Sequence, residues 1–323
     1  MASVRIITPG MLTTIQDRGR WGWQSRGVPV AGPMDPCAHR LANALVGNES
    51  DAATLEVTLV GPEVEVDEER VAAVTGAEFD LAVDGRRTPM NAAFPVPAGS
   101  VLHFGARHRG ARAYLAIAGG IAVPPVLNSR STHLPSGIGG LDGRALRAGD
   151  RVPLGKRGRE SFSGLVSGQK GNKSWLFPAP KMTPVPFSGV RVLPGPQLDR
   201  FAPDALDILQ SVPYVVDANS NRMGFRLQGP RLRHARTAEM LSDATPLGAV
   251  QVPTMGQPIL LMADRQTTGG YPSIATVISA DIGLAGQLAP GDSISFVVST
   301  PREALAALIA QEQALMAFES GVR

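Results

Sequence analysis

The chain has 323 residues, 43% of them hydrophobic, enough for one large core or two modest ones, and two lobes are the better expectation. Thirty-six Gly and 27 Pro against few aromatics favour short elements joined by sharp turns and argue against a helical bundle. A net charge of +3, with Lys and Arg spread along the chain, implies no nucleic-acid face. Cys37 is the sole cysteine, which excludes an intrachain disulfide framework and a cysteine-based zinc site. Met1 to Gly10 lacks the apolar core of a signal peptide, and no apolar run approaches ~18 residues. The expected setting is a reducing cytoplasm, away from membranes.

In chain order, Val4 to Ile7, Thr54 to Val57, Val71 to Val74, Val101 to Phe104 and Ala113 to Ile117 read as strands, being short apolar or alternating runs bounded by Gly and Pro. A helix follows Asp35, with Pro36 at its first position, Ala38, Leu41, Ala42 and Leu45 on one face, and Gly47 beyond its end. The stretch from about Gly155 to Pro186 is rich in Gly, Ser, Lys and Pro without periodicity, as in a long loop or linker. The expected organisation is a lobe over 1–155, a linker over 156–186 and a second lobe over 187–323. In that second lobe Val190 to Leu193, Val250 to Val252, Ile259 to Met262, Ile274 to Ile278 and Ile294 to Val298 read as strands, and Leu198 to Leu209 as a helix. Thr300-Pro301-Arg302-Glu303 is a capping box that opens a C-terminal helix, with Leu305, Leu308, Ile309 and Met316 expected towards the core.

Some turns repeat. Gly99, Gly149 and Gly291 each sit just before a strand, and Leu-x-Gly-Pro occurs at Leu59 to Pro62 and at Leu227 to Pro230. Two related β lobes would produce such echoes, and so would the ordinary reuse of turn chemistry.

The densest polar segment follows the strand at Ile259: Asp264-Arg-Gln-Thr-Thr-Gly-Gly-Tyr-Pro272. It offers a carboxylate, a cation, an amide that donates and accepts, and two hydroxyls. Gly269 and Gly270 remove Cβ atoms, so a ligand or another backbone can come close. A site for a carboxylate or amide group is one reading; a loop whose side chains cap its own backbone is the other. A second cluster, Thr13 to Trp23, sets Asp17, Arg18 and Arg20 among glycines and tryptophans, as a binding edge or as loop-organising packing. A third, Asn219 to Arg226, places Arg222 and Arg226 four apart, able to grip a carboxylate or phosphate or simply to face solvent.

Other signals fail. Gly137-Ile-Gly-Gly140 is no dinucleotide fingerprint, and no Gly-x-x-x-x-Gly-Lys-Ser/Thr run occurs. His103 and His108 lack a carboxylate or cysteine to complete a ligand set, so no metal is expected. Cys37 and His39 point apart on a helix, which makes a cysteine nucleophile a poor reading.

Taken together, Thr14-Ile-Gln-Asp-Arg-Gly-Arg20, Gly27-Val-Pro29 with Gly32-Pro-Met-Asp35, Leu193-Pro-Gly-Pro-Gln197, Arg222 to Gly229, Gln251-Val-Pro253 and the Asp264 to Pro272 block resemble the KipA family. That family also goes by the C subunit of 5-oxoprolinase, the second subunit of allophanate hydrolase, or the biotin-dependent carboxyltransferase subdomain. The resemblance runs from Ile6 to about Phe296 in the family's order. It implies a mainly β fold of two cyclophilin-like β-barrel lobes, with a few short helices and a C-terminal helix. It implies partners too: a KipI-like B subunit and a LamB/YcsF-like A subunit, with the isolated chain inactive. The implied reaction is ATP-dependent opening of the 5-oxoproline lactam to L-glutamate, with the ATP site on a partner chain as one arrangement.

Carried over residue by residue, the resemblance implies a site with Asp264 and Gln266 as catalytic residues. Thr267, Thr268, Gly269, Gly270, Tyr271, Gln251, Arg222, Arg226, Asp17 and Arg18 would bind substrate. On this view Gln266 and the threonine hydroxyls meet the substrate amide, Arg222 or Arg226 neutralises its carboxylate or a developing phosphate, and Asp264 is a base or orients Arg265. Two alternatives stay open: a biotin-dependent carboxyltransferase component acting on urea or a similar amide, with biotin on another protein, and a regulatory binding protein that antagonises a KipI-like kinase inhibitor.

Overall fold

A computed structural model describes residues 2–156, 189–237 and 240–322. The described residues fall into two compact units. One draws on Met1–Arg20, Pro36–Met182 and Gln313–Arg323, the other on Trp21–Asp35 and Thr183–Glu312. Apart from Lys156, the expected linker lies outside the described residues.

The first unit carries β1 (Ser3–Thr8), β2 (Leu12–Gln16), α1 (Pro36–Leu45), β3 (Thr54–Thr58), β4 (Glu63–Val66), β5 (Arg70–Val83), β6 (Arg86–Thr88), β7 (Ala93–Val96), β8 (Val101–Ile117) and β9 (Arg151–Pro153). Its sheet runs β2-β3-β8-β4-β1-β9, with β5 laid along β8 and itself pairing β6 and β7. The two short strands expected at Val101 and Ala113 are one long strand. β8 stays continuous because β5 follows it through several register shifts between Gly76 and Leu81, which let two long, twisted strands remain paired. Alternation along β4 and β8 sends Val64, Val66, Leu102 and Phe104 into one apolar core with Val4, Ile6, Leu55 and Val57. α1 starts at Pro36 as expected and buries Ala38, Leu41, Ala42 and Leu45.

The second unit carries β10 (Val190–Pro194), α2 (Ala205–Ser211), β11 (Tyr214–Val216), β12 (Gly224–Gln228), β13 (Asp243–Ala244), β14 (Ala249–Gln251), β15 (Ile259–Leu261), β16 (Thr268–Gly269), β17 (Ser273–Val277), α3 (Ile282–Gly286), β18 (Ser293–Ile294), β19 (Phe296–Val298) and the start of α4 (Pro301–Val322). Its main sheet runs β18-β11-β12-β15-β14-β17-β10-β19. The two ends of that path are Ile294 and Phe296, with only Ser295 between them, so the sheet comes round into a nearly closed barrel. The single strand expected over Ile294 to Val298 is therefore two, one at each end of the barrel. The helix expected over Leu198 to Leu209 is also split. A 3₁₀ turn covers Leu198–Arg200, Phe201 is extended, and α2 begins only after Pro203, because the residues before a proline are pushed out of helical geometry.

The repeated turns share one geometry in both units. Gly99, Gly149 and Gly291 have φ of +77°, +90° and +89°, a region that glycine enters without a Cβ clash. Their N–H groups donate to Val66, Ile6 and Val216 carbonyls, and the next residue's N–H closes a tight turn onto Pro97, Arg147 and Ala289. The two Leu-x-Gly-Pro motifs also match. Gly61 lies against the Phe104 side chain and Gly229 against the Tyr214 ring, where no Cβ fits.

α4 corrects one expectation. Its capping box forms, with Thr300 N donating to Glu303 Oε2 at 2.9 Å and Glu303 N to Thr300 Oγ1 at 3.2 Å. Leu305, Ile309 and Met316, however, are 58%, 48% and 59% exposed, while Leu315 is 1% exposed. Alanines make both sides of this helix apolar, so periodicity does not select the buried face; Leu308 and Leu315, seven apart, lie on it.

Candidate functional site

The Asp264 to Tyr271 segment leaves the end of β15 and is held by its backbone. Thr245 N donates to Thr267 O at 3.1 Å, Met240 N to Gly270 O at 3.1 Å, and Thr245 Oγ1 donates to Gln266 O. β13 and β16 form a two-stranded ribbon in the register Asp243 opposite Gly269 and Ala244 opposite Thr268. Gly269 is not in a left-handed conformation; its role is close approach. A Cβ there would sit 2.9 Å from Gln251 Nε2, 3.1 Å from Thr245 Cγ2 and 3.2 Å from Gln266 Nε2. Gly270 likewise faces Met240 O. Two side-chain amides thus converge on the glycine. Gln251, 4% exposed, is fixed by donating to Tyr271 O at 3.2 Å.

Beyond Arg265 the side chains of this loop are not seen to cap their own backbone among the described residues. Among the described residues the Gln266 amide and the Thr267, Thr268 and Tyr271 hydroxyls have no hydrogen-bond partner, although the main chain that carries them is tied on both sides. Tyr271 is exposed, and Gln266 and Thr267 are half-buried. Such a set can meet a planar ligand that both donates and accepts, as an amide does.

Asp264 opens the loop and faces Arg222. Arg222 Nε and Nη2 lie 3.0 Å from the two carboxylate oxygens, Asp264 N donates to Arg222 O at 2.8 Å, and the pair is 4% and 1% exposed. Arg222 Nη2 also donates to Gly32 O at 2.6 Å, tying the loop to the 21–35 segment within the same unit. That segment has its own close fit: Gly286 lies against Met34 O, and Asp35 accepts from Gln287 Nε2 at 2.8 Å. Arg226, expected beside Arg222, is on the exposed face of β12.

Arg265 behaves differently from Arg222. It is 9% exposed, its Nε donates to Thr245 O at 2.8 Å, and no carboxylate lies within ion-pair distance among the described residues. Burial alone pushes its pKa down to about 10.

Asp17 and Arg18 belong to the first unit. The Asp17 carboxylate accepts from Gly19 N, Ser129 Oγ, Ser131 Oγ and Arg130 N, so it organises its own loop. Arg18 is exposed. Two contributors were not anticipated. Thr245 has no motif around it. Gln197, within the Leu193 to Gln197 motif, accepts from Ser273 N at 3.1 Å and donates to Asp243 Oδ2 at 3.3 Å, bracing the ribbon; a glutamine ending a Pro-Gly-Pro turn was its available signal.

His103 pairs with Glu63 at 2.9 Å and His108 with Asp80 at 3.1 Å. Among the described residues no group of three His, Cys, Asp or Glu is placed to hold a metal ion, and no helix is long and apolar enough to cross a membrane.

This geometry can be set beside known proteins. The protein named as the C subunit of 5-oxoprolinase in Escherichia coli (strain K12) is 42% identical over 304 residues, covering 94% of this chain and 94% of that protein. Urea amidolyase of Saccharomyces cerevisiae is 37% identical over 305 residues, 91% of this chain and 16% of the larger protein. The crystal structure of urea amidolyase from Kluyveromyces lactis superimposes with a TM-score of 0.87 at 33% identity, over 98% of this chain and 20% of that one. The family model for the carboxyltransferase domain, subdomain A and B, matches residues 26–298. With the model spanning most of the chain and the Escherichia coli relative covered over nearly all of its length, the chain belongs to the carboxyltransferase domain, subdomain A and B, family.

Proposed function

We propose that this chain is the C subunit of an ATP-dependent 5-oxoprolinase that opens the 5-oxoproline lactam to L-glutamate together with a KipI-like and a LamB/YcsF-like chain. The observation that carries this is the match itself: the relative named for 5-oxoprolinase is 42% identical and is covered over 94% of its own length, whereas urea amidolyase is 37% identical and is covered over 16% of its length. A lactam presents one N–H and one C=O in a plane, and the Gln266 amide with the Thr267 and Thr268 hydroxyls, without partners among the described residues, complements that pattern. Asp264 enters as a positioning residue, since both its oxygens face Arg222.

The lactam is a resonance-stabilised amide, so water alone attacks it slowly. Transfer of the ATP γ-phosphoryl to the lactam oxygen releases ADP and supplies a leaving group. One water then adds at that carbon, the ring C–N bond breaks with the amine taking a proton, and a second water displaces phosphate to leave the carboxylate. On this reading ATP sits on a partner chain as one arrangement, in keeping with a sequence that holds no Gly-x-x-x-x-Gly-Lys-Ser/Thr run.

The test is 5-oxoproline-dependent ATP hydrolysis by the complex assembled from the three chains, run beside urea with bicarbonate and a biotinyl carrier protein. Turnover with 5-oxoproline, lost when this chain is omitted, is expected. The likeness to urea amidolyase favours a second reading, a carboxyltransferase component. Carboxylation of urea without any 5-oxoproline turnover would establish it in place of the first.

A further inference from the structure

Arg265 is 9% exposed and has no carboxylate within ion-pair distance among the described residues. Another buried arginine of the same unit shows the contrast. Arg222 faces both oxygens of Asp264. Desolvating a guanidinium costs several kcal/mol, and an internal carboxylate with good geometry is what offsets it. For Arg265 the sole hydrogen bond is from Nε to Thr245 O, which leaves both Nη groups without a partner among the described residues. Burial pushes its pKa down to about 10, and no acid among the described residues raises it.

Its position gives that uncompensated charge a direction. Arg265 is the chain neighbour of Gln266, whose amide has no partner among the described residues. Thr245 fixes both: its carbonyl accepts from Arg265 Nε, and its hydroxyl donates to Gln266 O. The backbone is thus anchored while the two recognition groups stay available. The amide chemistry lies around Gly269, where the Gln251 and Gln266 amides converge.

We infer that Arg265 is the residue that holds the carboxylate of a small carboxylate-bearing lactam, end-on through its two Nη groups, and so sets the specificity of the site for an acidic over a neutral amide. This rests on the lactam-opening reading above and replaces the expectation that Arg222 or Arg226 performs that task. Arg222 is committed to Asp264, and Arg226 lies on an exposed strand face. A guanidinium suits the role, since its paired N–H groups match a carboxylate in one plane.

The experiment uses the assembled complex carrying wild-type chain, Arg265→Gln or Arg265→Lys. Its probes are 5-oxoproline as substrate and 2-pyrrolidinone, the same ring without the carboxylate, as competitor. Arg265→Gln is expected to raise KM for 5-oxoproline about 100-fold, the order expected from losing a charged bidentate contact. It should leave kcat within about threefold and the inhibition constant of 2-pyrrolidinone within about twofold, with Arg265→Lys intermediate in KM. Because the change removes a largely buried charge that faces no carboxylate among the described residues, Arg265→Gln alone should melt no lower than wild type, and 5-oxoproline should raise the melting temperature of wild type only. The inference is overturned if KM stays within threefold, if both ligands weaken by the same factor, if kcat alone falls, or if Arg265→Gln fails to fold. If the wild-type complex turns over no 5-oxoproline, the lactam-opening reading fails and takes this inference with it; turnover by wild type with an indifferent Arg265→Gln sinks the inference alone.

Discussion

Arg222 and Asp264 form a two-pronged ion pair, 3.0 Å at each contact, with almost no exposure of either side chain. Asp264 begins the polar loop, and Arg222 reaches from it to Gly32 O in the 21–35 segment. The pair therefore fixes the loop's first residue. Removing one partner leaves the other charged and buried, so Asp264→Asn should cost about 3–5 kcal/mol of stability, whereas Arg222→Met with Asp264→Leu should recover much of it. Urea titrations of the two singles and the double give the answer. Additive losses would mean that the two side chains do not act as a unit. A base role for Asp264 would instead show as a loss of the acidic limb of the pH–rate profile in an Asp264→Asn complex that still folds.

Gly269 and Gly270 separate close approach at the site from ribbon packing. A methyl at 269 meets the ends of Gln251, Gln266 and Thr245, flexible groups that can yield, so Gly269→Ala should cost only about 1 kcal/mol. It displaces the two amides, however, and turnover of the complex should fall by about tenfold or more. Gly270→Ala meets a single carbonyl at 3.3 Å and should cost less than threefold in rate. Equal effects at the two positions would show that the converging amides are not where the ligand binds.

The strands and their turns were legible because Gly and Pro bound them so clearly, and Gly99, Gly149 and Gly291 mark turns that the structure builds alike. The Asp264 to Tyr271 loop was legible as a polar block at a strand end. Its internal wiring was not. Arg222 lies 42 positions from Asp264 in sequence, and only the pairing of β12 with β15 brings them together, so spacing suggested Arg226 as its companion instead. Thr245 was invisible for the same reason, since it acts through a two-residue ribbon too short to carry a pattern. The closure of the second sheet depends on the break at Ser295 between β18 and β19, which the run from Ile294 to Val298 conceals.

The C-terminal helix offers a direct check of the face that its apolar periodicity left undecided. Leu315→Ala removes a side chain that is 1% exposed and should cost about 2–5 kcal/mol. Ile309→Ala, at 48% exposure, should stay within about 1 kcal/mol. A reversed order in thermal or chemical melts would show that this helix presents its other side to the core.

His39 gives the first unit a pH-dependent stability. It is fully buried on α1, with Nδ1 3.0 Å from Thr54 Oγ1 and the ring edge-on to Tyr114. Burial lowers its pKa to about 4, more strongly than the nearby Asp17 and Glu56 raise it. The unfolded chain holds this proton at about pH 6.5, so between the two values the unfolded state binds more protons than the folded one. Stability from the neutral ring is fully present above about pH 6.5 and is lost as the pH falls towards 4, by about 3 kcal/mol in all. Replacing the ring with a group that cannot titrate removes this contribution, so His39→Gln should be less stable than wild type at pH 7 but should change less between pH 7 and pH 5. Urea midpoints at those two pH values, measured for both proteins, decide the matter. Parallel pH dependences would mean that some other group, and not the buried imidazole, governs the acid sensitivity of this unit.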